Sequence, residues 1–517
     1  MASYDFDAVV VGAGHNGLAC AWYLGRAGLR VLVLERREIV GGACVTEELW
    51  PGFRVPTCAY SCYLLQSRVI EDMQLRRHGF EVFPRLVGAF APFPDGRFIL
   101  AFSDEERMAE QLARFSRRDA ESFPRYLALG RRMAELLRPY LLTPPPTLAD
   151  LVERVRATAD EALLERMLFG NVMDLLDEYF ESPQVKALFV MAWDAGDPAA
   201  PGSLLHRAYD WLSLFTPDED IGIVRGGMGG ITQAMARAAE EIGVAIRTKV
   251  EVEQILVADG RARGVVLTDG EEIRVRVVVS NADPKRTFLR LVPRSALAPS
   301  FVRRVQGLKT QAAYLKFHAA LRELPDFTAY FGGDFNPRWI TAVRICPSVD
   351  YFRSSWEDAQ RGRYSRTPVM SVQIPTVYDP DLAPPGHHVM SIWAQYAPVQ
   401  PAVASWDELR PEAGEALIDH LGTYAPNIRD AIQEWMLLTP VDMERRVGMT
   451  DGNIRHLDMV SGQMLWSRPL PGWSHYRTPL AGLYLCGAGT HPGGEVTGAP
   501  GHNAAHVVLA DLDRVEA

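Results

Sequence analysis

Three glycines near the start of the chain have a spacing that can bind a phosphate group. Gly12, Gly14 and Gly17 form the pattern Gly-x-Gly-x-x-Gly. Glycine lets the backbone turn tightly and approach a ligand closely, and the free N–H groups at the start of a helix attract an anion. Glu35 follows at the separation of about 20 residues where a carboxylate binds a ribose hydroxyl. The pattern predicts a dinucleotide-binding turn.

The residues around these glycines have the patterns of a strand, a helix and a second strand. The apolar runs 8–11 and 31–34 are typical of buried parallel strands, and residues 18–27 have helical spacing. This context favours a dinucleotide site over the alternative interpretation, a glycine-rich structural turn. His15 and Asn16 lie inside the turn, and we expect both to border the cofactor.

Further glycine loops lie far from the first one. Gly41 and Gly42 follow the second predicted strand, after Arg36, and could bring the backbone close to a phosphate or ribitol. A second cluster occupies residues 225–230, and a long glycine-rich loop covers residues 487–501 before a last helical pattern. A nicotinamide cofactor seldom needs so many loops, whereas extended FAD is wrapped by several. The repetition at both ends of the chain therefore favours FAD.

Length and charge exclude several classes of function. The chain of 517 residues exceeds the size of one hydrophobic core, which predicts two domains. Its formal net charge of −10 argues against binding to nucleic acid and disfavours anionic membrane surfaces, which leaves a peripheral membrane contact at most. No apolar run approaches the length of about 18 residues that a membrane-spanning helix needs.

The cysteines and histidines do not have the spacing of a metal or dithiol site. Six cysteines are present without a Cys-x-x-Cys pair, which argues against a thiolate zinc site and a dithiol redox centre. Histidines and carboxylates do not have ligand spacing either, so no metal site is predicted. Reduced, buried thiols are typical of a cytoplasmic protein, and we expect that location.

The order of these patterns predicts an α/β fold with a discontinuous nucleotide-binding domain. Three segments would form this Rossmann-type FAD-binding domain, namely residues 1–102, 221–300 and 455–517. Residues 103–220 are mostly helical in pattern. Residues 301–454 contain strand patterns and then helical patterns at 412–424 and 428–434. We expect these two segments to build a substrate-binding domain from a mixed β-sheet and helices.

Three groups of residues together resemble a known family. They are the turn 12–17 with Glu35 and Gly41-Gly42, the cluster 225–230, and His491-Pro492-Gly493-Gly494 with Gly498. In these groups the chain resembles the phytoene desaturase-like flavoproteins, and among them the desaturase-type carotenoid ketolases and the pyridine nucleotide-disulfide oxidoreductase domain-containing proteins. The resemblance covers most of the length and is weakest over residues 105–220. It implies FAD, the amine oxidase fold and removal of hydride from an organic substrate by flavin N5.

The resemblance also implies which residues contact FAD. Gly12, Gly14 and Gly17 would bind the pyrophosphate, and Glu35 would bind the ribose. Gly41, Gly42 and Ala43 would line the ribitol side, and the backbone of Val250 would contact the adenine. The remaining contacts with the pyrophosphate, the ribitol and the flavin would come from Gly487, Gly489, Val496 and Gly498. Ala43 is a departure, because the wider fold usually has arginine after the glycine pair. This departure weakens the case for a charged contact there.

Glu495 is the main candidate for substrate chemistry. Related desaturases carry glycine at this position and amine oxidases an aromatic residue, so the resemblance implies a carboxylate over the flavin ring. Glu495 could act as a general base or bind a substrate amine; the alternative is an acid that complements a helix dipole. His491 and His502 flank it and could orient the substrate, or could instead hydrogen-bond the loop backbone.

The sequence thus favours an FAD-dependent oxidoreductase that desaturates or oxidises a hydrophobic or amphiphilic substrate. Oxygen or a quinone-like acceptor would reoxidise the flavin. A second hypothesis is an amine or amino-acid oxidase that produces peroxide, with Glu495 as the ammonium partner. A third is a non-catalytic lipid or isoprenoid carrier on the same fold, against which the intact glycine loops argue. No oligomeric state is predicted.

Overall fold

The computed structural model describes residues 5–190 and 196–516. In this part of the chain the strands are β1 (Ala8–Val11), β2 (Val31–Leu34), β3 (Thr46–Trp50), β4 (Phe53–Pro56), β5 (Val82–Pro84), β6 (Ala89–Pro92), β7 (Phe98–Ala101), β8 (Gly222–Val224), β9 (Ala245–Arg247), β10 (Val252–Ala258), β11 (Arg261–Leu267), β12 (Glu272–Arg274), β13 (Val277–Ser280), β14 (Ala313–Leu321), β15 (Ala342–Ile345), β16 (Val369–Gln373), β17 (His388–Ala397), β18 (Ile432–Leu438) and β19 (Leu483–Leu485).

The helices are α1 (His15–Arg26), α2 (Ser67–Asp72), α3 (Glu105–Ala113), α4 (Arg117–Leu137), α5 (Leu148–Val155), α6 (Asp160–Phe169), α7 (Val172–Tyr179), α8 (Pro183–Val190), α9 (Ser203–Asp210), α10 (Gly229–Glu241), α11 (Pro284–Arg286), α12 (Pro299–Gln306), α13 (Thr328–Phe331), α14 (Val349–Gln360), α15 (Trp406–Gly422), α16 (Ile428–Ala431), α17 (Pro440–Val447) and α18 (Ala499–Glu516). Short 3-10 turns join several of them.

A five-stranded parallel sheet with the order β19-β13-β1-β2-β9 forms the nucleotide-binding layer. Strand β1 is buried on both faces, since Val10 belongs to one apolar core and Val9 to the core on the other side. Such strands are apolar at consecutive positions, as the sequence pattern indicated. The predicted Rossmann-type sheet is confirmed, and its strands come from three separate parts of the chain.

An antiparallel meander, β10-β11-β12, packs against this layer. Its apolar side chains, including Ile255 and Val265, join the core formed by one face of the parallel sheet. The meander connects β9 to β13, and it carries the chain across the sheet between these strands. Its first strand, β10, begins two residues after Val250.

A seven-stranded sheet with the order β18-β14-β17-β16-β15-β6-β7 forms the second layer. Strands β6 and β7 belong to it, so residues 89–101 pair with this sheet, although the predicted FAD-binding domain included them. One face of the sheet packs on helix α15 through residues such as Leu417 and Leu421. The other face points towards the helices α3–α9 and the functional site.

The helical prediction at 428–434 is wrong beyond its first turn. Helix α16 ends at Ala431, and strand β18 begins at Ile432. The strand pairs with β14 along its length, so the neighbouring strand supplies backbone partners that a local helix would otherwise provide. Tertiary pairing therefore overrides the helical spacing of a short segment.

The segment 103–220, which separates the first two segments of the predicted FAD-binding domain, is mostly helical where the structure describes it, as predicted. Helices α3–α9 bury one apolar core that includes Tyr126, Leu175 and Trp211. The prolines at 144–146 separate α4 from α5. In the described part of the chain no helix combines the length and apolar character that a membrane crossing requires, and no cluster of three potential metal ligands occurs there. All six cysteines are buried and unpaired.

Candidate active site

A cleft of about 1480 Å³, counting its open mouth, lies at the carboxyl ends of strands β1, β2 and β13. This is where open α/β sheets bind ligands. The lining begins at Gly12, Gly14 and Glu35 and continues to Trp393 on the second sheet. The cleft therefore extends from the nucleotide-binding layer to the second layer.

The glycine turn is tight because neighbouring backbone and side-chain atoms occupy the space of a side chain. A Cβ on Gly17 would lie 2.2 Å from the carbonyl oxygen of Gly12, and a Cβ on Gly14 would lie 2.8 Å from Nδ2 of Asn281. Asn281 follows strand β13 and donates a hydrogen bond from Nδ2 to that Gly12 oxygen at 3.2 Å. Asn281 thus ties the ends of β1 and β13 together beside the predicted pyrophosphate position.

Glu35 holds the same turn from the end of β2. Its Oε2 accepts a hydrogen bond from the N–H of Ala13 at 2.9 Å, and its Oε1 accepts one from the N–H of Arg37 at 2.9 Å. A carboxylate has further lone pairs, and Glu35 lines the cleft, so it can also accept a ribose hydroxyl. The N–H of Val250 donates to the carbonyl of Glu35 at 2.9 Å, so a backbone contact between Val250 and an adenine would have to use the carbonyl of Val250.

The second glycine pair packs directly on the first turn. Gly41 has a φ of 128°, and a Cβ there would lie 2.5 Å from the carbonyl oxygen of Cys44. A Cβ on Gly42 would lie 3.3 Å from the Cα of Gly14. Gly41, Gly42 and Ala43 all line the cleft, so the two turns form one continuous wall.

The closing loop contributes some of its predicted residues to the cleft. Glu495 and Val496 line it, together with Ala488. Gly487 and Gly489 do not line it; they allow close packing instead, since a Cβ on Gly487 would lie 2.7 Å from the carbonyl oxygen of Asn281 and one on Gly489 would lie 2.4 Å from Pro284. Gly498, with a φ of 72°, is likewise packed, against Val69.

Glu495 forms an ion pair with Arg455, which sequence reasoning missed. Both side chains are nearly buried, with 13% and 3% exposed respectively, and both line the cleft. The positive charge of Arg455 favours the ionised carboxylate. Helix α18 starts only at Ala499, so Glu495 is not in its first turn, and the alternative of a dipole-complementing acid does not fit.

The backbone at Glu495 is held in an uncommon conformation. Its φ is 71°, in the left-handed region that non-glycine residues rarely adopt. The hydroxyl of Tyr209, on helix α9, donates a hydrogen bond to the carbonyl of the preceding Gly494 at 2.8 Å. The helical subdomain therefore positions the loop that presents Glu495.

His491 and His502 lie outside the lining of the cleft. Nε2 of His491 hydrogen-bonds the carbonyl oxygen of Tyr140 at 2.7 Å, and burial lowers the pKa of His491 to about 4. Nδ1 of His502 pairs with Oδ1 of Asn503 at 2.8 Å. The structure fits the alternative given above for His491, a hydrogen bond to loop backbone, and places no substrate-facing histidine from this pair.

Lys316 is a further functional candidate that the sequence reasoning missed. It lies in β14 and is only 2% exposed, and its Nζ lies 4.1 Å from the ring centre of Tyr60, which lines the cleft. Burial lowers the pKa of Lys316 to about 7. Its signal in the sequence was a single charge within an otherwise apolar strand.

The residues of the cleft fit FAD. Among the buried polar atoms of the lining, Nε2 of His15, Oδ1 of Asn16 and Nδ1 of His456 have no hydrogen-bond partner in the described part of the chain. Buried polar atoms are nearly always paired, so these atoms point to a ligand with many donors and acceptors. Arg36, also in the lining, lies 3.9 Å from Glu251 by its Nη1 and adds a cation at the nucleotide end.

The middle glycine cluster supports the site from outside. The N–H of Gly226 donates to Oδ2 of Asp379 at 2.6 Å, and the N–H of Gly229 donates to Oγ1 of Thr46 at 3.0 Å. The start of helix α10 is therefore occupied by protein groups. The cluster is not part of the cleft lining.

Comparison with known proteins identifies relatives along nearly the whole chain. The family profile described as flavin containing amine oxidoreductase matches residues 17–509. The chain is 37% identical to pyridine nucleotide-disulfide oxidoreductase domain-containing protein 2 of Rattus norvegicus, covering 98% of this chain and 94% of that one. It is 32% identical to a limonene dehydrogenase subunit from Castellaniella defragrans (98% and 95% covered). It is 25% identical to phytoene desaturase (lycopene-forming) of Pseudescherichia vulneris (98% and 99% covered).

Solved structures share the fold at low sequence identity. An oxidoreductase from Methanosarcina mazei superposes with a TM-score of 0.63 at 18% identity, covering 98% of this chain and all of the other. Putrescine oxidase bound to putrescine superposes with a TM-score of 0.60 at 15% identity, covering 98% and 99%. These likenesses confirm the predicted amine oxidase fold.

Proposed function

Because the chain belongs to the flavin containing amine oxidoreductase family and is an FAD-dependent oxidoreductase, we propose that it desaturates or oxidises a hydrophobic or amphiphilic organic substrate. FAD, when bound, accepts the hydride that the substrate loses. Two relatives named for limonene and phytoene support an apolar substrate. We further propose oxygen or a quinone-like compound as the electron acceptor.

The observation that carries this proposal is the apolar character of the substrate end of the cleft. Tyr60, Tyr63 and Trp393 line it, with Met449 and Ile454 beside them. Aromatic rings bury a large apolar area and hold few polar groups. Such a lining binds a hydrocarbon chain and excludes water from the reacting carbon.

Two groups at this end can hold or move a proton. Glu495 presents a carboxylate to the cleft beside Arg455, and a carboxylate can accept a proton. Lys316 has a pKa of about 7 because it is buried, so its Nζ is neutral in part of the molecules at neutral pH and can also accept one. We propose Glu495 as the group nearer the substrate, since it lines the cleft and Lys316 does not.

The same ion pair argues against amine oxidation. If Glu495 were the partner of an ammonium substrate, its charge would have to be uncompensated, and Arg455 already pairs with it. The buried guanidinium would also repel a cation that approached the pair. The geometry therefore favours a substrate that is neutral at the reacting carbon.

The test is anaerobic reduction of the bound flavin, followed by loss of its visible absorbance. We expect apolar alkenes and isoprenoids to bleach the flavin of the purified holoenzyme, and primary amines of matched chain length not to do so. Bleaching by amines with none by the apolar set would overturn the proposal in favour of amine oxidation. A protein that purifies with flavin but is reduced by neither set would overturn both.

A further inference from the structure

One row of side chains crosses the second sheet and passes through the end of the cleft. Lys316 of β14 lies opposite Trp393 of β17, Trp393 lies opposite Ser371 of β16, and Ser371 lies opposite Arg344 of β15. Directly opposed residues of antiparallel strands point to the same face. Trp393 lines the cleft, so the whole row faces that side.

The adjacent row confirms this orientation. Phe317, Ile392, Val372 and Val343 are also directly opposed across these four strands, and all four belong to the core on the back of the sheet. Because side chains alternate along a strand, Arg344 cannot point into that core. The front row therefore carries a cation at each end, with an aromatic ring and a hydroxyl between them.

Arg344 lies beside a second arginine, Arg85, and neither guanidinium forms an ion pair with a described residue. Arg344 forms no hydrogen bond or ion pair with any described residue, and Nε of Arg85 is buried and unpartnered. The charge of Arg344 acts on Arg85, and Tyr60 and Tyr63 act on both guanidiniums. Since both tyrosines line the cleft, the two arginines lie just beyond its aromatic end.

Arg468 shows how a structural guanidinium is bonded in this fold. Arg468 is fully buried and donates hydrogen bonds to the carbonyls of Arg455, Leu457, Gln463 and Ala488. Arg85 and Arg344 have no such set. Burial lowers the pKa of Arg85 to about 10 and lowers that of Arg344, as expected for cations that lack compensation. The carboxylate whose charge reaches Arg344 is Asp210, which forms no ion pair with it.

From this geometry we infer that the substrate is an anionic amphiphile, whose carboxylate is bound by Arg344 and Arg85 while its chain lies over Trp393. The inference deepens the proposed function and rests on it. A guanidinium fork matches a carboxylate with two hydrogen bonds, and Ser371 offers a hydroxyl beside it. Three strand spacings of about 4.8 Å separate Lys316 from Arg344, about 14 Å in all. An extended hydrocarbon chain covers that span with about eleven bonds of about 1.5 Å at tetrahedral angles.

The test compares two ligands of one length, dodecanoate and dodecan-1-ol, by isothermal titration of the holoenzyme. We expect dodecanoate to bind at least tenfold more tightly than the alcohol. In Arg344→Gln this preference should fall to within about twofold while the affinity for the alcohol is unchanged. Arg344→Lys should keep part of the preference, because it keeps the charge and loses the fork. Arg322→Gln changes an exposed arginine directly after β14; it is the matched control and should behave as the wild type.

Equal affinities of the wild-type protein for acid and alcohol would overturn the inference. So would an Arg344→Gln variant that weakens both ligands equally, since that is the effect of lost packing. Arg85→Gln tests the same anchor if Arg344→Gln does not fold, with the same expected loss of preference. Binding is measured without turnover, so a failure of flavin reduction by every compound, which would overturn the proposed function, is distinguishable from a failure of carboxylate recognition.

Discussion

Replacing either partner of the Glu495–Arg455 pair should destabilise the protein far more than replacing both. Glu495→Gln removes the carboxylate that pairs with the guanidinium of Arg455, which is only 3% exposed. Removing one member of a buried ion pair costs about 3–5 kcal/mol. Arg455→Met leaves a carboxylate that is 13% exposed, so its cost should lie near the lower end of that range. The double variant removes both members of the pair and should recover about 2–3 kcal/mol of the summed loss.

The assay is urea unfolding of the wild type, both single variants and the double variant, with FAD in the same excess throughout because ligand binding adds to stability. A coupling free energy near zero, or single variants that each lose under about 1 kcal/mol, would refute the buried-pair reasoning.

The same proteins separate a structural role of Glu495 from a chemical one. If Glu495 accepts the substrate proton, the double variant should be stable yet reduce its flavin roughly a hundredfold or more slowly. Wild-type flavin reduction in the double variant would assign Glu495 to the scaffold.

Three further outcomes follow from the contacts. Gly17→Ala should yield flavin-free protein, because its Cβ would lie 2.2 Å from the carbonyl of Gly12; Gly333→Ala, which meets nothing within 4 Å, should purify with normal flavin absorbance. Between pH 7 and pH 9 the unfolding free energy of the wild type should rise by about 2 kcal/mol relative to that of Lys316→Met. The reason is that folding lowers the pKa of Lys316 from 10.5 to about 7, so in this pH range the unfolded chain binds a proton that the folded chain has lost. A difference between the two proteins that does not change with pH would contradict the burial argument. Tyr209→Phe removes the hydroxyl that donates a hydrogen bond to the carbonyl of Gly494, next to Glu495. This variant should reduce its flavin more slowly while its flavin content stays normal. Unchanged rates would show that the loop keeps its conformation without this hydrogen bond.

The nucleotide half of the cleft could be predicted because its signals are local. Gly12, Gly14, Gly17 and Glu35 sit in one strand–helix–strand unit, and the structure places all but Gly17 in the lining of one cleft. Apolar strands buried on both faces are also readable from consecutive residues. Only local spacing was needed for these features.

The substrate half could not be predicted in the same way. Arg455 and Glu495 are 40 positions apart in numbering and share no motif, so their pairing depends on how the closing loop folds back. The row from Lys316 to Arg344 exists only in the register of four antiparallel strands. Register is set by tertiary packing, and no single segment records it.

Helix α16 and strand β18 show how a local pattern misleads. Ile428, Ile432 and Trp435 have helical spacing, which favours a helix over the whole segment. From Ile432 onward the segment lies beside strand β14, whose backbone N–H and C=O groups pair with those of an extended chain. The sequence of the segment alone contains no trace of that partner.

Because the two ends of the chain meet at one cleft, the cleft can be completed only at the end of synthesis. A Cβ on Gly501 of helix α18 would lie 2.0 Å from the carbonyl oxygen of Asn16 of helix α1, so the last helix closes on the first. At a synthesis rate of about 5–20 residues per second, strand β19 leaves the ribosome roughly half a minute to a minute and a half after strand β1. Throughout that interval the nascent chain exposes a glycine turn with one wall missing. Loading with FAD is therefore a late event in biogenesis, and a chain that stalls before residue 483 keeps the motif but has lost the site.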